Sequence, residues 1–253
     1  MTVLQSIFLG LLQGLTEFLP ISSSGHLLLA EKLFDVQAGL FFDVMLHLGT
    51  LVAVVISLRH SLWQTIRHPI KSKKLLFLVV ASIPTFALAL VVKLFVPESV
   101  MPLLLPIGFA LTIVLIILSD RLSKPRLRLE EAGWLPIVIT GVTQGVAVFP
   151  GLSRSGTTIS TMKLFGLNAS DAAEFSFLMS IPVILASAAV EGYEALTAQI
   201  TIPPWYCIVI GIVAAFVSGL VSVYMVMRAV KTKSWIWFAI YLIIPLTISL
   251  ITL

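Results

Sequence analysis

QGLTEFLPISSSGHLLLAEKLF (residues 13–34) recurs as QGVAVFPGLSRSGTTISTMKLF (residues 144–165), 131 positions later and without a gap. Nine of the twenty-two pairs are identical: Gln13/Gln144, Gly14/Gly145, Phe18/Phe149, Ser22/Ser153, Ser24/Ser155, Gly25/Gly156, Lys32/Lys163, Leu33/Leu164 and Phe34/Phe165. Shared descent explains this better than shared apolar composition. Each copy carries at its middle a run rich in Ser, Gly and Pro. The copies differ where chemistry is concerned: Glu17 faces Val148, Ser23 faces Arg154 and His26 faces Thr157. A frame that is kept while its ionisable residues diverge points to one site assembled from two halves.

The background is a membrane protein. Apolar residues make up 58% and charged residues 11%, with mean hydropathy +1.08, and several apolar runs suffice to cross a bilayer. The runs exceed barrel-strand length, so a polytopic α-helical protein is expected. The lone Cys207 excludes an internal disulfide and reads as a small core side chain. The N-terminus lacks the basic region and cleavage site of a removable signal peptide. A net charge of +4 is no nucleic-acid signature, and no nucleic-acid partner is expected.

Apolar segments run over 38–58, 75–96, 102–119, 170–190, 205–227 and 235–253. Twelve of the sixteen Lys and Arg fall in the connections 59–74, 120–134 and 228–234, which the positive-inside rule places in the cytoplasm. Connections 97–101 and 191–204 carry Glu98, Glu191 and Glu194 without a basic residue and belong outside. Segments 170–190 and 205–227 supply two crossings between two inside loops, so 135–168 must enter and leave on one side. Pro150, Gly151 and Gly156 break it into pieces too short to span. By the same logic residues 1–35 form a hairpin broken at Pro20 and Gly25, entering from outside. The expected fold is therefore an inverted-topology repeat. Each half has one re-entrant helix-loop-helix hairpin and three transmembrane helices: repeat one over 1–119, a cytoplasmic linker over 120–134, and repeat two over 135–253. Both termini then lie outside. The competing reading is eight plain helices with the Pro/Gly clusters as kinks.

Irregular backbone at membrane depth must be buried in protein or line a wet cavity. Two hairpin tips meeting near the midplane would oppose two helix N-termini, with Ser24 and Ser155 as expected caps, and such ends attract anions. Ser22, Ser24, Gly25, Ser153, Ser155, Gly156 and Thr157 form the expected substrate-binding tips, where the serines act as caps more than as nucleophiles. Arg154 adds a donor fork suited to phosphate. Gln13 and Glu17, four apart, share a helix face and are candidate ligands of Mg²⁺ or Ca²⁺. Gln13 and Gln144 serve equally well as a hydrogen bond across the pseudo-two-fold. His26 opens the second half-helix and points back over the tip. Glu17, His26 and Arg154 are the ionisable groups most costly to hold at this depth. Asp43 and His47, four apart, either line the cavity or pair with each other, and Glu174 is similar. Lys32 and Lys163 are expected to snorkel, and His60 and His68 to be exposed.

These residues resemble the signatures of the undecaprenyl-pyrophosphate phosphatases. Gln13 to His26 is similar to that family's (E/Q)xxxE-FLP-x-SS-x-GH motif, Pro150 to Thr158 to its PGxSRSxxT motif, and the Glu174-Phe-Ser-Phe-Leu stretch also fits. The resemblance covers the whole chain. It implies a bacterial plasma-membrane hydrolase, with its active site open to the outer face, that removes the terminal phosphate of the C55 polyprenyl pyrophosphate carrier. The product returns to cell-wall synthesis, and abundance of such enzymes confers bacitracin resistance. The resemblance further implies a divalent cation, and Glu17, Ser23, His26 and Arg154 as functional residues. Gln13 stands in the variable Glu/Gln place. Ser23 would be the nucleophile with His26 as its base, or His26 would activate water. The expected partners are the polyprenyl pyrophosphate and membrane lipids, with a homodimer left open. The alternative class is a secondary transporter or polyprenyl-phosphate flippase on the same repeat.

Overall fold

The computed structural model describes residues 1–36, 38–67, 73–124, 126–197, 202–232 and 235–252. His68, Lys71 and Lys233 lie outside them. Eleven α-helices are seen among these residues and no strand beyond an isolated bridge, Leu127 with Leu167. In chain order they are α1 (Val3–Phe18), α2 (Ser23–Phe34), α3 (Leu40–Ser57), α4 (Arg59–Arg67), α5 (Lys74–Phe95) and α6 (Met101–Leu122). The second half follows with α7 (Trp134–Val146), α8 (Arg154–Leu164), α9 (Ala169–Thr197), α10 (Trp205–Ala229) and α11 (Ile236–Thr252).

Five of these, α3, α5, α6, α9 and α10, are long and apolar enough to cross a membrane. At 17 residues, α11 sits at the short end of the spanning range. Leu4, Phe95 and Ile251 are each more than three-quarters exposed, an apolar surface suited to lipid rather than water. Cys207 is fully buried, as a small core residue should be. The basic connection 59–74 is not a plain loop: its first part forms α4, which places Ser61 opposite Glu174.

The chain breaks where prolines and turn residues interrupt the apolar pattern. α1 stops at Phe18 before Leu19-Pro20, and α7 stops at Val146 before the turn through Pro150 and Gly151, which has φ +82°. Gly25 and Gly156 are not part of the breaks. Both lie inside the restarted helices, where a Cβ on Gly25 would strike Phe109 and one on Gly156 would crowd Ser153 and Pro20. Their role is close approach.

The two halves pack by exchange. α1 lies on α10, and α7 lies on α5; α3 pairs with α9, and α6 with α11. The correspondence holds residue by residue. Gly10 faces the Gly211 carbonyl and Ala214, and Gly14 faces the Ala215 carbonyl and Ser218. Gly141 faces the Ala81 carbonyl and Pro84, and Gly145 faces the Thr85 carbonyl and Leu88. The first pair of glycines maps on the second by a shift of 131, and their partners by a shift of 130. Small residues let helix backbones meet closely where lipid offers no hydrophobic drive. The repeat legible over 13–34 therefore extends to Gly10 and to the spans that receive it.

Polar clusters with both signs of charge close the two ends of α5 and α9. Arg126 and Leu127 donate backbone bonds to the Gly166 carbonyl, and Asn168 donates to Leu127, which clamps the 120–134 linker to the α8–α9 turn. Lys74, Arg128, Asp171 and Glu174 line one polar pocket of about 340 Å³ there. At the opposite ends of α5 and α9, Lys93 pairs with Glu194.

Candidate active site

Both breaks end on a serine that caps the next helix, two residues earlier than the expected Ser24 and Ser155. Ser22 Oγ accepts from Gly25 N–H at 3.3 Å, and Ser153 Oγ accepts from Gly156 N–H at 3.1 Å. A cap oxygen must reach the N–H two or three positions ahead, and in each copy the glycine supplies it. Ser24 and Ser155 lie at the second helical position, each 3.3–3.4 Å from its capping hydroxyl. The caps leave the N–H groups of Ser23, Ser24, Arg154 and Ser155 without a partner among the described residues. Unpaired first-turn donors with the helix dipole behind them suit an anion.

Ser23 and Arg154 are equivalent by the 131-residue shift, and each is the first residue of its helix. Both reach the same carboxylate. Arg154 Nη2 pairs with Glu17 Oε1, while Ser23 Oγ donates to Glu17 Oε2 at 2.6 Å and Gln13 Nε2 donates to the same oxygen at 2.9 Å. The four-residue spacing on α1 thus brings Gln13 to Glu17 directly. Glu17 is buried at 6% exposure, and three donors, one of them a guanidinium, offset the cost of burying its carboxyl group there. Val148, its counterpart, is exposed; the second copy has no carboxylate at this place. Ser155 Oγ donates to the Leu19 carbonyl at 3.0 Å and ties the tips together. The site reaches the surface of the protein through Ser23, Ser24 and Arg154, none of which is fully buried.

His26 is turned away from this cluster. Its Nδ1 donates to the Ser22 carbonyl at 2.7 Å, and its Nε2 lies 3.0 Å from the Tyr241 hydroxyl. Its place one turn into α2 rotates the ring toward α11 and Phe109, which meets it edge-on at 5.7 Å. Neither nitrogen is bonded to Ser23. The imidazole beside Glu17 is His47, whose Nε2 is 3.9 Å from Oε2. His47 Nδ1 donates to the Asp43 carbonyl at 2.8 Å, so it lines the site and the two do not pair through their side chains. Thr157 Oγ1 is spent on the Ser153 carbonyl at 2.6 Å.

Outside the tips, Gln144 Nε2 donates to Thr85 Oγ1 at 3.2 Å, so Gln13 and Gln144 do not bond to each other as the sequence reading allowed. Glu174 pairs with Lys74 at 2.7 Å and accepts from Ser61 at 2.5 Å. Lys32 is exposed, whereas Lys163 is buried, its ammonium 5.1 Å from the Trp235 ring centre; the basic end of α8 is covered by that ring. His60 is exposed. Thr112 was not singled out by the sequence: its hydroxyl accepts from Ser153 N–H at 2.9 Å and donates to the Gly108 and Gly151 carbonyls, which fixes the second tip.

Among the described residues no three His, Cys, Asp or Glu side chains converge as a self-sufficient metal site. Gln13 Oε1, however, is buried without a partner. One such oxygen beside one carboxylate suits Mg²⁺, which commonly binds through one or two protein ligands and completes its shell with phosphate oxygens and water.

Over 252 residues the chain is 38% identical to the undecaprenyl-diphosphatase of Carboxydothermus hydrogenoformans, covering 95% of this chain and 94% of that protein. It is 37% identical to the undecaprenyl-diphosphatase of Treponema denticola, over 99% and 97% of the two chains. The undecaprenyl-diphosphatase of Methanosphaera stadtmanae is 32% identical over 94% of each. Residues 6–247 match the family described as Bacitracin resistance protein BacA, and with so nearly complete a match the chain belongs to that family.

Proposed function

We propose that this protein is an undecaprenyl-diphosphatase, hydrolysing the membrane-bound pyrophosphate to the monophosphate carrier and inorganic phosphate. The observation that carries the reading is the meeting of Ser23 and Arg154, equivalent residues at the first positions of two helices, on the buried carboxylate of Glu17. A site for a transferring phosphoryl group needs an anion cradle, a charge clamp and a base, and these residues supply one of each.

In the mechanism, the terminal phosphoryl group takes the N–H groups of the two tips and the guanidinium of Arg154. Glu17, freed of that cation, is the base already bonded to Ser23 Oγ. It takes the hydroxyl proton as Oγ attacks phosphorus, and the P–O bond to the bridging oxygen breaks. Polyprenyl phosphate leaves, and its tail runs out between helices into lipid. Water then attacks phosphorus and the P–Oγ bond breaks; Glu17 returns its proton to Ser23 Oγ, and inorganic phosphate leaves with the water oxygen and its protons. Mg²⁺ or Ca²⁺ fits beside Gln13 Oε1 and Glu17, where it would neutralise phosphate oxygens. The charge pattern of the connections supports a multi-pass plasma-membrane protein with both termini and the site toward the outer face.

The test is phosphate release from polyprenyl pyrophosphate by purified protein in detergent, with and without chelator. Wild type is expected to release phosphate, and Arg154→Ala to release little. No release by wild type would refute the enzyme and favour a transporter on this fold.

A further inference from the structure

We infer that Tyr241 is a positioning residue that fixes the ring of His26, held as the Nδ1–H tautomer by the Ser22 carbonyl, with the Nε2 lone pair aimed at the open side of the hairpin. The inference rests on the phosphatase reading for its consequence in catalysis. Its geometry stands alone.

The tautomer follows from what each partner can do. The Ser22 carbonyl is an acceptor only, so the 2.7 Å contact requires a proton on Nδ1 of His26. A neutral ring then has a bare Nε2, and the Tyr241 hydroxyl 3.0 Å away must be the donor. Tyr241 does more than donate. Its ring stacks on the imidazole, with centroids 5.7 Å apart and planes within 7°, while Phe109 meets the imidazole edge-on. The imidazole is thereby fixed in position and in rotation. Gly25 adjoins it because a Cβ there would strike Phe109.

The two residues are 215 positions apart and come from opposite halves, α2 and α11. His26 is buried at 8% exposure, whereas Tyr241 is 41% exposed. The phenol is therefore the only described bonding partner between Nε2 and the surface. A protonated oxygen that replaces the phenol, a water or a P–OH, would donate to Nε2 at a defined angle. Thr157, the counterpart of His26, has no such partner, since its hydroxyl turns back on its own helix.

The experiment uses Tyr241→Phe, which removes the hydroxyl and keeps the stacked ring. Protein with ¹⁵N-labelled histidine in detergent is compared by NMR with the variant, and His26→Gln assigns the signal. Wild type is expected to show a proton on Nδ1 and a hydrogen-bonded, pyridine-type Nε2. In Tyr241→Phe the Nε2 signal moves toward that of an unbonded pyridine-type nitrogen, and kcat falls about tenfold with KM little changed, the mark of an interaction used in the transition state. An unmoved Nε2 signal, or a wild-type proton on Nε2, overturns the inference whatever the activity. Unchanged kcat in a variant whose Nε2 signal has moved overturns the catalytic consequence. If wild type releases no phosphate, the enzyme reading fails, while the NMR comparison still decides the positioning.

Discussion

The two hairpin tips have one frame and two chemistries. Each is a short helix, a break, a capping serine, a glycine three residues on and a second short helix, and each first helix lies on a span of the other half. On that frame the first tip places Glu17, Ser23 and His26, and the second places Val148, Arg154 and Thr157. Symmetry thus delivers two equivalent positions to one point, and divergence makes one a hydroxyl and the other a guanidinium. A phosphoryl-transfer site needs this inequality, because the attacking group and the clamp cannot be the same residue type. An exact two-fold would give two serines or two arginines, and two carboxylates or none.

The largest break in the comparison is Ser23→Ala. Removing a nucleophile from a unit that works together costs about 10⁴-fold or more, and the variant should form no trapped phosphoenzyme. Activity retained in Ser23→Ala would assign the attack to water and leave Ser23 a hydrogen-bond donor. Next is its partner by symmetry. Arg154→Ala should lower kcat about 10²–10³-fold through loss of transition-state charge stabilisation. It also leaves Glu17 buried with its charge uncompensated, so the melting temperature should drop as well. Arg154→Lys separates the two effects: charge is kept, stability largely returns, and the bidentate grip on phosphate does not. A Lys variant as active as wild type would show that point charge alone is needed.

How much of this was legible follows from the range of each interaction. The spans were, because a run of twenty apolar residues is a local fact; α5, α6 and α10 begin within a residue of where the sequence places them. The contact of Gln13 with Glu17 was too, since four residues on a helix fix it. The capping serines were misplaced by two because Ser22-Ser23-Ser24 offers three candidates, and only the reach of the hydroxyl to Gly25 N–H selects one. His47 was left undecided because α3 approaches α1 through tertiary packing, which has no trace in local pattern. Tyr241 had no signal at all: an aromatic residue within an apolar helix reads as packing. Amphipathic α4 fell within a connection judged by its charges alone.

The frame itself can be tested apart from the chemistry. Gly10 and Gly141 are equivalent, and a methyl group at either would press on a helix carbonyl of the opposite half, Gly211 or Ala81. Gly10→Ala and Gly141→Ala should therefore destabilise by similar amounts, about 1–3 kcal/mol each, as overpacking does. Thermal unfolding in detergent reads this directly. A large loss at one position and none at the other would show that the exchange of packing partners is unequal in strength, and that one half carries the fold.

The smallest difference expected is in the backbone of the caps. Ser153 sits at φ −70°, an ordinary value, and the positive φ of its tip falls on Gly151. In the first tip Pro20 occupies the place of Gly151, and the positive φ, +69°, falls on Ser22 itself. A side chain there is strained by about 1–3 kcal/mol, whereas replacing a capping serine by glycine costs only a few tenths of a kcal/mol. The sign of one substitution should thus depend on the tip that receives it. Ser22→Gly relieves more than it loses and should raise the unfolding temperature slightly, while Ser153→Gly should lower it slightly. Parallel shifts in the two variants would mean that the first tip holds its serine without strain, and the inequality of the tips would then lie in their side chains alone.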